Sequence, residues 1–254
     1  MPHNDIVGCH TTPKHNRPPV GFETQESNTR MFTSDRRSTL SGKAGEIAEE
    51  LERRLVLGMY KFAEPITISQ LADEMSASKQ PVSAAIAHLR TLGYLEIIPQ
   101  VGCKVVSPTP NEIEDFFLAV SKLEGTVASF AANRHSDSEA DILKHIAARP
   151  APKSLDELAA RRAYIDTLND FHDQIWKMAR SPLLKARTEN FRQLSIFYLW
   201  QGAPKMAPAS AKYFIRQRRE IAERICKRDA TAAERMMGEH IAAKPQVSGL
   251  LRTE

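Results

Sequence analysis

No run of apolar residues in this sequence approaches the roughly 18 needed to span a bilayer, and no secretory leader is visible at its start. A membrane protein is therefore not expected, and the cytoplasm is the expected compartment. Cysteine is scarce: Cys9, Cys103 and Cys226 are far apart and form no CxxC pair. That argues against a disulfide framework and fits a reducing environment. Also missing are a glycine-rich phosphate loop, a nucleophile elbow, an HExxH pair and a paired-carboxylate signature. Asp170, His172 and Asp173 come nearest to an acid–base set, but adjacent helical positions face different ways. No enzyme is expected.

The 254 residues, 42% hydrophobic and 26% charged, have the composition of a packed chain of one large or two ordinary domains. The net charge is +4, unevenly distributed. Residues 39–108 hold 7 Lys/Arg against 8 Asp/Glu, and residues 109–254 hold 23 against 19. Any polyanion-binding role must therefore rest on where charges sit, not on their sum.

Residues 1–38 are rich in Pro, Asn, Thr, Ser and His, show no apolar period and end in Arg36-Arg37. Such a stretch reads as a disordered tail. From Leu40 a helical stripe appears at Ile47, Leu51, Leu55 and Val56, closed by Gly58. Thr67-Ile68-Ser69-Gln70 has capping-box spacing and opens a short helix through Met75. After a turn at residues 76–78, Ser78 caps a third helix that tolerates Pro81 in its first turn and buries Val82, Ile86 and Leu89. Two alternating runs, Tyr94–Ile98 and Cys103–Val106, flank a glycine-containing turn and read as a hairpin. Three helices and a two-stranded wing make a winged helix-turn-helix.

The remainder reads as about six helices with clear starts at Thr109, Ser136, Ser154, Ser181 and Asp229, plus a segment near 209–228. The expected architecture is mostly α: a tail (1–38), a winged helix-turn-helix (39–108), an all-helical bundle (109–244) and a C-terminal tail (245–254).

A helix-turn-helix inserts the N-terminal end of its second helix into the major groove. Lys79 and Gln80 then face base edges, with Ser78 and Ser83 beside them and Arg90 further along. Thr67 and Ser69 suit phosphate contacts, as does Lys104. Gly102 at the wing tip would let backbone approach the duplex.

Residues 40–108 resemble the DNA-binding domain of the GntR family of bacterial regulators. The resemblance rests on Glu64-Pro65-Ile66 to Leu71-Ala72-Asp73-Glu74, on Ser78 to Ile86, on Leu89 to Pro99 and on Val101 to Val105. Residues 110–243 resemble the FCD effector domain of its FadR-like subgroup, through Leu123-Glu124, Asp170-Phe171-His172 and the stretch from Ile221 through Asp229 to His240. The resemblance implies a ligand-responsive transcription regulator, more often a repressor, acting as a homodimer on a two-fold operator in double-stranded DNA. There are departures. The family usually has Arg where Lys79, Ser83 and Ser69 stand, and glycine where Ser76 stands. An alternative is an interaction module that keeps the fold and has lost specific DNA binding.

Many FCD domains hold a divalent metal through one Asp and three His. Matching that pattern residue by residue gives Leu168, His172, Arg218 and His240, so two of four ligands remain. Leu cannot ligate, and a fixed guanidinium repels a cation. No metal and no required cofactor are expected. His172, His240 and Arg218, with Asn169 nearby, are expected instead to bind a small anionic metabolite, Arg218 as a carboxylate or phosphate clamp. The aromatic segment Phe191–Trp200 is expected to serve core packing or a dimer contact.

Overall fold

The computed structural model describes residues 40–99, 102–150, 152–202 and 208–251. The N-terminal tail with Arg36 and Arg37, and the turn residues Gln100 and Val101, lie outside the described residues.

Helix α1 (Gly42–Val56) buries Ile47, Leu51, Leu55 and Val56, the face its period foretold. Thr67 caps α2 (Ile68–Glu74), its Oγ1 accepting from the Gln70 N–H at 3.2 Å. The following turn passes through Ser76 at φ 48°. This left-handed conformation costs a residue with a Cβ about 1–2 kcal/mol. Helix α3 (Lys79–Thr91) buries Val82, Ala85, Ile86 and Leu89.

Strands β2 (Leu95–Ile98) and β3 (Gly102–Val105) pair antiparallel, Leu95 opposite Val105 and Ile98 opposite Gly102. The sequence reading misses a third strand, β1 (Pro65–Ile66), which pairs with the other side of β3 to give the order β1-β3-β2. Two residues show no alternation, and proline fits only such an edge. Tyr94, read as strand, precedes β2. Its ring is buried and its hydroxyl donates to Glu52 Oε1 at 2.8 Å.

Beyond Val105 the described residues contain no strand. Seven helices follow: α4 (Pro110–Arg134), α5 (Asp137–Ala148), α6 (Leu158–Ala179), α7 (Pro182–Gly202), α8 (Pro208–Cys226), α9 (Ala230–Ala242) and α10 (Lys244–Ser248). Full capping boxes form at Thr109/Glu112 and Ser136/Glu139, and Asp229 caps α9. The box expected at Ser154 does not form. Ser154 Oγ instead accepts from the Asp156 N–H at 3.0 Å, closing a local turn, and α6 begins four residues later. A seventh helix, α10, occupies the start of the segment read as a C-terminal tail, with Lys244, Pro245 and Ser248 buried. The packed chain therefore continues past 244.

Two apolar clusters organise the molecule. One lies within the bundle and includes Phe117, Phe171, Ile175, Ile221 and Met237. The other runs from the winged helix-turn-helix, through Ile47, Leu51 and Tyr94, into α7 at Leu194, Phe197 and Trp200. Residues 192–197 are buried without interruption, the mark of a helix enclosed on all sides. Leu194, Phe197 and Trp200 of the aromatic segment thus serve as core packing at the seam between the two regions, whereas Phe191 is 43% exposed.

That seam is close. A Cβ on Gly58, which sits at φ 69°, would lie 2.9 Å from the Trp200 carbonyl oxygen. Tyr94 and Phe197 meet edge to face at 5.1 Å. Asn190 Nδ2 donates to the Leu92 carbonyl at 2.8 Å and Arg161 Nη1 to the Leu57 carbonyl at 2.7 Å.

Candidate functional site

Two separate polar surfaces come from the residues singled out above. The first is the outer face of α3. Ser78, Lys79, Gln80, Ser83 and Arg90 are all exposed, with Ala87 between them. Ser78 occupies the N-cap position with extended backbone, yet its side chain makes no capping bond. Ser83 Oγ donates to the Lys79 carbonyl at 2.9 Å. Thr67 and Ser69 are exposed at the start of α2. Arg90 sits eleven residues after Lys79, about 16 Å along the helix.

The net −1 of this region is resolved by placement. Helix α3 contains Lys79, His88 and Arg90 and no carboxylate. Two of the acids are held by arginines away from that face: Glu50 by Arg53 and Arg54 at 2.7 Å each, and Glu74 by Arg54 at 2.7 Å. On the wing, Lys104 pairs with Glu96 at 3.0 Å, so a phosphate would compete with a carboxylate for it. Gly102 also meets a need within the fold. At φ 145° a Cβ there would lie 2.8 Å from the Ile66 carbonyl oxygen, so the approach of β1 requires glycine.

The second surface is buried. Helices α4, α6, α8, α9 and α10 bring Glu124, His172, Arg218, His240 and Lys244 together, and Asn169 lies one turn before His172. His172 Nδ1 meets Glu124 Oε2 at 3.1 Å, and Trp176 Nε1 donates to Glu124 Oε1 at 3.1 Å. His240 Nδ1 meets Gln217 Oε1 at 2.9 Å. Arg218 has 0% exposure although it belongs to the basic run Arg216–Arg219. Its neighbours point outward: Arg216 is exposed, and Arg219 donates to the Ala148 carbonyl. None of the three Arg218 nitrogens has a hydrogen-bond partner, and its Cζ lies 5.7 Å from the centre of the Tyr164 ring. His172 Nε2, His240 Nε2 and both ends of the Asn169 amide are likewise buried without a partner.

Burial dominates the electrostatics. It drives the His240 pKa well below the usual histidine value, aided by Lys244, His172 and Arg218. Burial also lowers His172 despite the opposing pull of Glu124. Lys244 is brought down to about 8, burial outweighing the attraction of Glu124. Glu124 stays ionised, its pKa held low against burial by His172, Trp176 and Arg192. Arg192, on α7, is paired with Asp173 at 2.6 Å and Glu189 at 2.9 Å. Both histidines are thus neutral at pH 7, while Arg218 and Lys244 carry positive charge.

A small cavity borders the cluster, lined by Glu124, Leu168, His172, Arg192, Ser195 and Lys244 among others. It offers about 10 Å³ to the centre of a water, room for one molecule. A larger groove of about 370 Å³ lies between α5 and α8, but it is open. Its charged groups are already matched: Lys144 with Asp141, Lys227 with Glu223 and Arg219 with a carbonyl. The buried cluster, not the groove, is where polar atoms want partners.

A divalent metal fits this cluster poorly. Leu168 supplies no donor atom, and Asp170 is exposed and bound to Arg149. Among the described residues no group of three or more His, Cys, Asp or Glu is disposed to hold a metal. Arg218 and Lys244 would both repel one. The sequence reading placed His172, Arg218, His240 and Asn169 in this site, and the fold brings all four into the buried interior. It did not assign roles to Glu124, Trp176, Gln217, Arg192 or Lys244. Most of these act across long separations that spacing along one helix cannot reveal.

Comparisons with known proteins agree with this layout. Residues 115–243 match the FCD domain model, and residues 43–105 match the model of bacterial regulatory proteins, gntR family. The chain is 22% identical over 213 residues to a "Probable D-xylose utilization operon transcriptional repressor" of Paenarthrobacter nicotinovorans, covering 84% of this chain and 92% of that protein. Its fold is similar to that of McbR/YncC from E. coli (TM-score 0.64, 14% identity, 83% of this chain and 98% of that one). It is equally similar to a GntR regulator from Rhodococcus sp. RHA1 (TM-score 0.64, 14% identity, 84% and 100%).

Proposed function

This chain belongs to the gntR family of bacterial regulatory proteins with an FCD domain, a family of transcription regulators and not enzymes, and we propose that it binds a two-fold operator as a homodimer whose affinity is set by a small anionic metabolite. Its place of action on this reading is the cytoplasm. The observation that carries the ligand reading is Arg218, a fully buried guanidinium with no hydrogen bond. An uncompensated buried charge of this kind costs a fold about 3–5 kcal/mol. Such a cost is offset when an anion arrives.

Helix α7 supports a route from ligand to DNA. Arg192, Ser195, Ile196 and Leu199 line the cavity. Leu194, Phe197 and Trp200 on the same helix pack against the winged helix-turn-helix. Asn190 grips the C-terminal end of α3 through the Leu92 carbonyl. A metabolite is larger than the single water the cavity admits, so its binding displaces one or more of the helices that line it, α7 among α4, α6, α9 and α10. Moving α7 moves α3, and a ligand that favours one arrangement shifts the reach of the two DNA-reading helices.

Selection of genomic fragments by the purified protein at two salt concentrations tests this reading. Enrichment of a two-fold-symmetric site that weakens steeply with salt is expected, because Lys79 and its neighbours displace counterions. No enrichment, with or without small acids, would make the chain an interaction module that keeps the fold without reading DNA.

A further inference from the structure

The seam between the two regions shows one geometry twice. Leu57 is the C-cap of α1 and Leu92 the C-cap of α3, so each carbonyl lies at a helix end where no further turn supplies a donor. A bundle side chain supplies it instead. Arg161 Nη1, on α6, donates to the Leu57 carbonyl at 2.7 Å, and Asn190 Nδ2, on α7, donates to the Leu92 carbonyl at 2.8 Å. The Arg161 guanidinium is itself held in place. Its Nε and Nη2 each lie 3.4 Å from the Leu155 carbonyl oxygen, and its Cζ stands 5.0 Å from the centre of the Trp200 ring. Leu155 is buried in the same apolar cluster as Ile47, Leu51 and Phe197. One guanidinium therefore ties the end of α1 to α6, to the turn before α6 and to α7. A cation suits that place, because a helix C-terminus carries partial negative charge.

Two attachment points do what one cannot. Held at Leu92 alone, the winged helix-turn-helix could swing about that carbonyl. The second hold at Leu57, on a different helix of the same core, fixes its direction. Lys79 lies thirteen residues before Leu92, about 20 Å along α3, so a small turn at the seam becomes a larger displacement at the DNA-reading end. A two-fold operator is sensitive to that displacement. One base pair added between half-sites carries one of them about 3.4 Å along the duplex and about 34° around it. On the reading that this chain binds a two-fold operator as a dimer, we propose that Arg161 and Asn190 are positioning residues that fix the half-site spacing the protein accepts. Neither stands on the outer face of α3. They act through the direction in which α3 leaves the bundle. Selectivity for spacing resides in the α6 and α7 side of the seam, while selectivity for base sequence resides in the exposed residues of α3.

The test is mobility-shift titration of the full-length protein on duplexes built from the two-fold site that genomic selection recovers. One duplex keeps the selected spacing, others have one or two base pairs inserted or removed at the centre, and one carries a single half-site. Wild type is expected to prefer the selected spacing over a one-base-pair change by about tenfold or more. Asn190→Asp keeps the size of the side chain but sets a carboxylate against the Leu92 carbonyl, and Arg161→Met keeps the stack on Trp200 without the donors. Each is expected to reduce that preference to about threefold or less, with binding to the single half-site unchanged. Arg161→Lys, which can reach Leu57 but cannot fork to Leu155 as well, should fall between. Should Arg161→Met not fold, Asn190→Asp decides alone. An unchanged preference in folded variants would overturn the positioning role and leave the operator reading standing. Equal weakening on every duplex, the single half-site included, would also overturn it, because the two residues would then support only the fold of the DNA-binding region. Recovery of no two-fold site by wild type, or no spacing preference, would overturn the operator reading and this inference together.

Discussion

Lys79 and Arg218 are both cations without an ion pair in the fold, but only Lys79 is in water. Lys79 stands exposed on α3 with Gln80 and Ser83, where solvent satisfies its donors. Arg218 stands buried with no hydrogen bond, its guanidinium facing the Tyr164 ring. Exposed side chains such as Lys79 on the first surface bury no unmet polar group, so altering them costs the fold little. The second buries a guanidinium whose donors go unaccepted, at a cost to the fold. Helix α7 carries residues in the core of the winged helix-turn-helix and others that line the small cavity beside the buried cluster. The DNA-reading face is therefore a surface property, and the buried cluster is a property of the whole fold.

Each prediction probes that contrast. The largest effect is expected where the two regions share a core. Phe197→Ala removes a ring that packs on Tyr94 and Phe62, and should destabilise the protein by about 3–5 kcal/mol in urea unfolding. A loss confined to one of two separable transitions would show that α7 does not unite the regions. A second effect comes from pH. His240 is held neutral in the fold by burial among Lys244, His172 and Arg218, so its folded pKa lies well below the unfolded 6.5. As pH falls below 6.5 the unfolded chain takes up a proton that the folded chain refuses, and stability drops. Urea midpoints from pH 7 to pH 5 should fall, and His240→Gln should flatten the slope.

On the exposed face the pattern reverses. Lys79→Ala should weaken operator binding by about 1–3 kcal/mol in a mobility-shift titration and leave thermal stability within about 0.5 kcal/mol. A comparable loss of stability would mean that Lys79 belongs to the fold. The smallest effect is at Ser76, whose φ of 48° is a conformation glycine adopts without strain. Ser76→Gly should raise stability by up to about 1 kcal/mol, read as a small rise in melting temperature.

How much of this was legible in sequence follows from how local each feature is. Capping boxes at Thr109 and Ser136, the stripe of α1 and the helix-turn-helix are encoded within a few residues, and all appear. His172, Arg218 and His240 emerged because a family spacing pointed to them. The inward turn of Arg218, against the outward Arg216 and Arg219, depends on how α8 packs and could not be read from a run of basic residues. Glu124 meets His172 across 48 residues, and the burial of Lys244 depends on α10, a five-residue helix with no period to detect. Strand β1 is defined by its partner, not by its own two residues.

Melting ligand-free wild type beside Arg218→Met tests the central claim most directly. Methionine keeps the packing and removes the uncompensated charge. The account predicts that the variant is more stable by about 1–4 kcal/mol, a rise of roughly 2–4 °C per kcal/mol, and no longer responds to small acids. A variant less stable than wild type by a similar amount would contradict it, because Arg218 would then be a satisfied part of the fold instead of a charge waiting for its ligand.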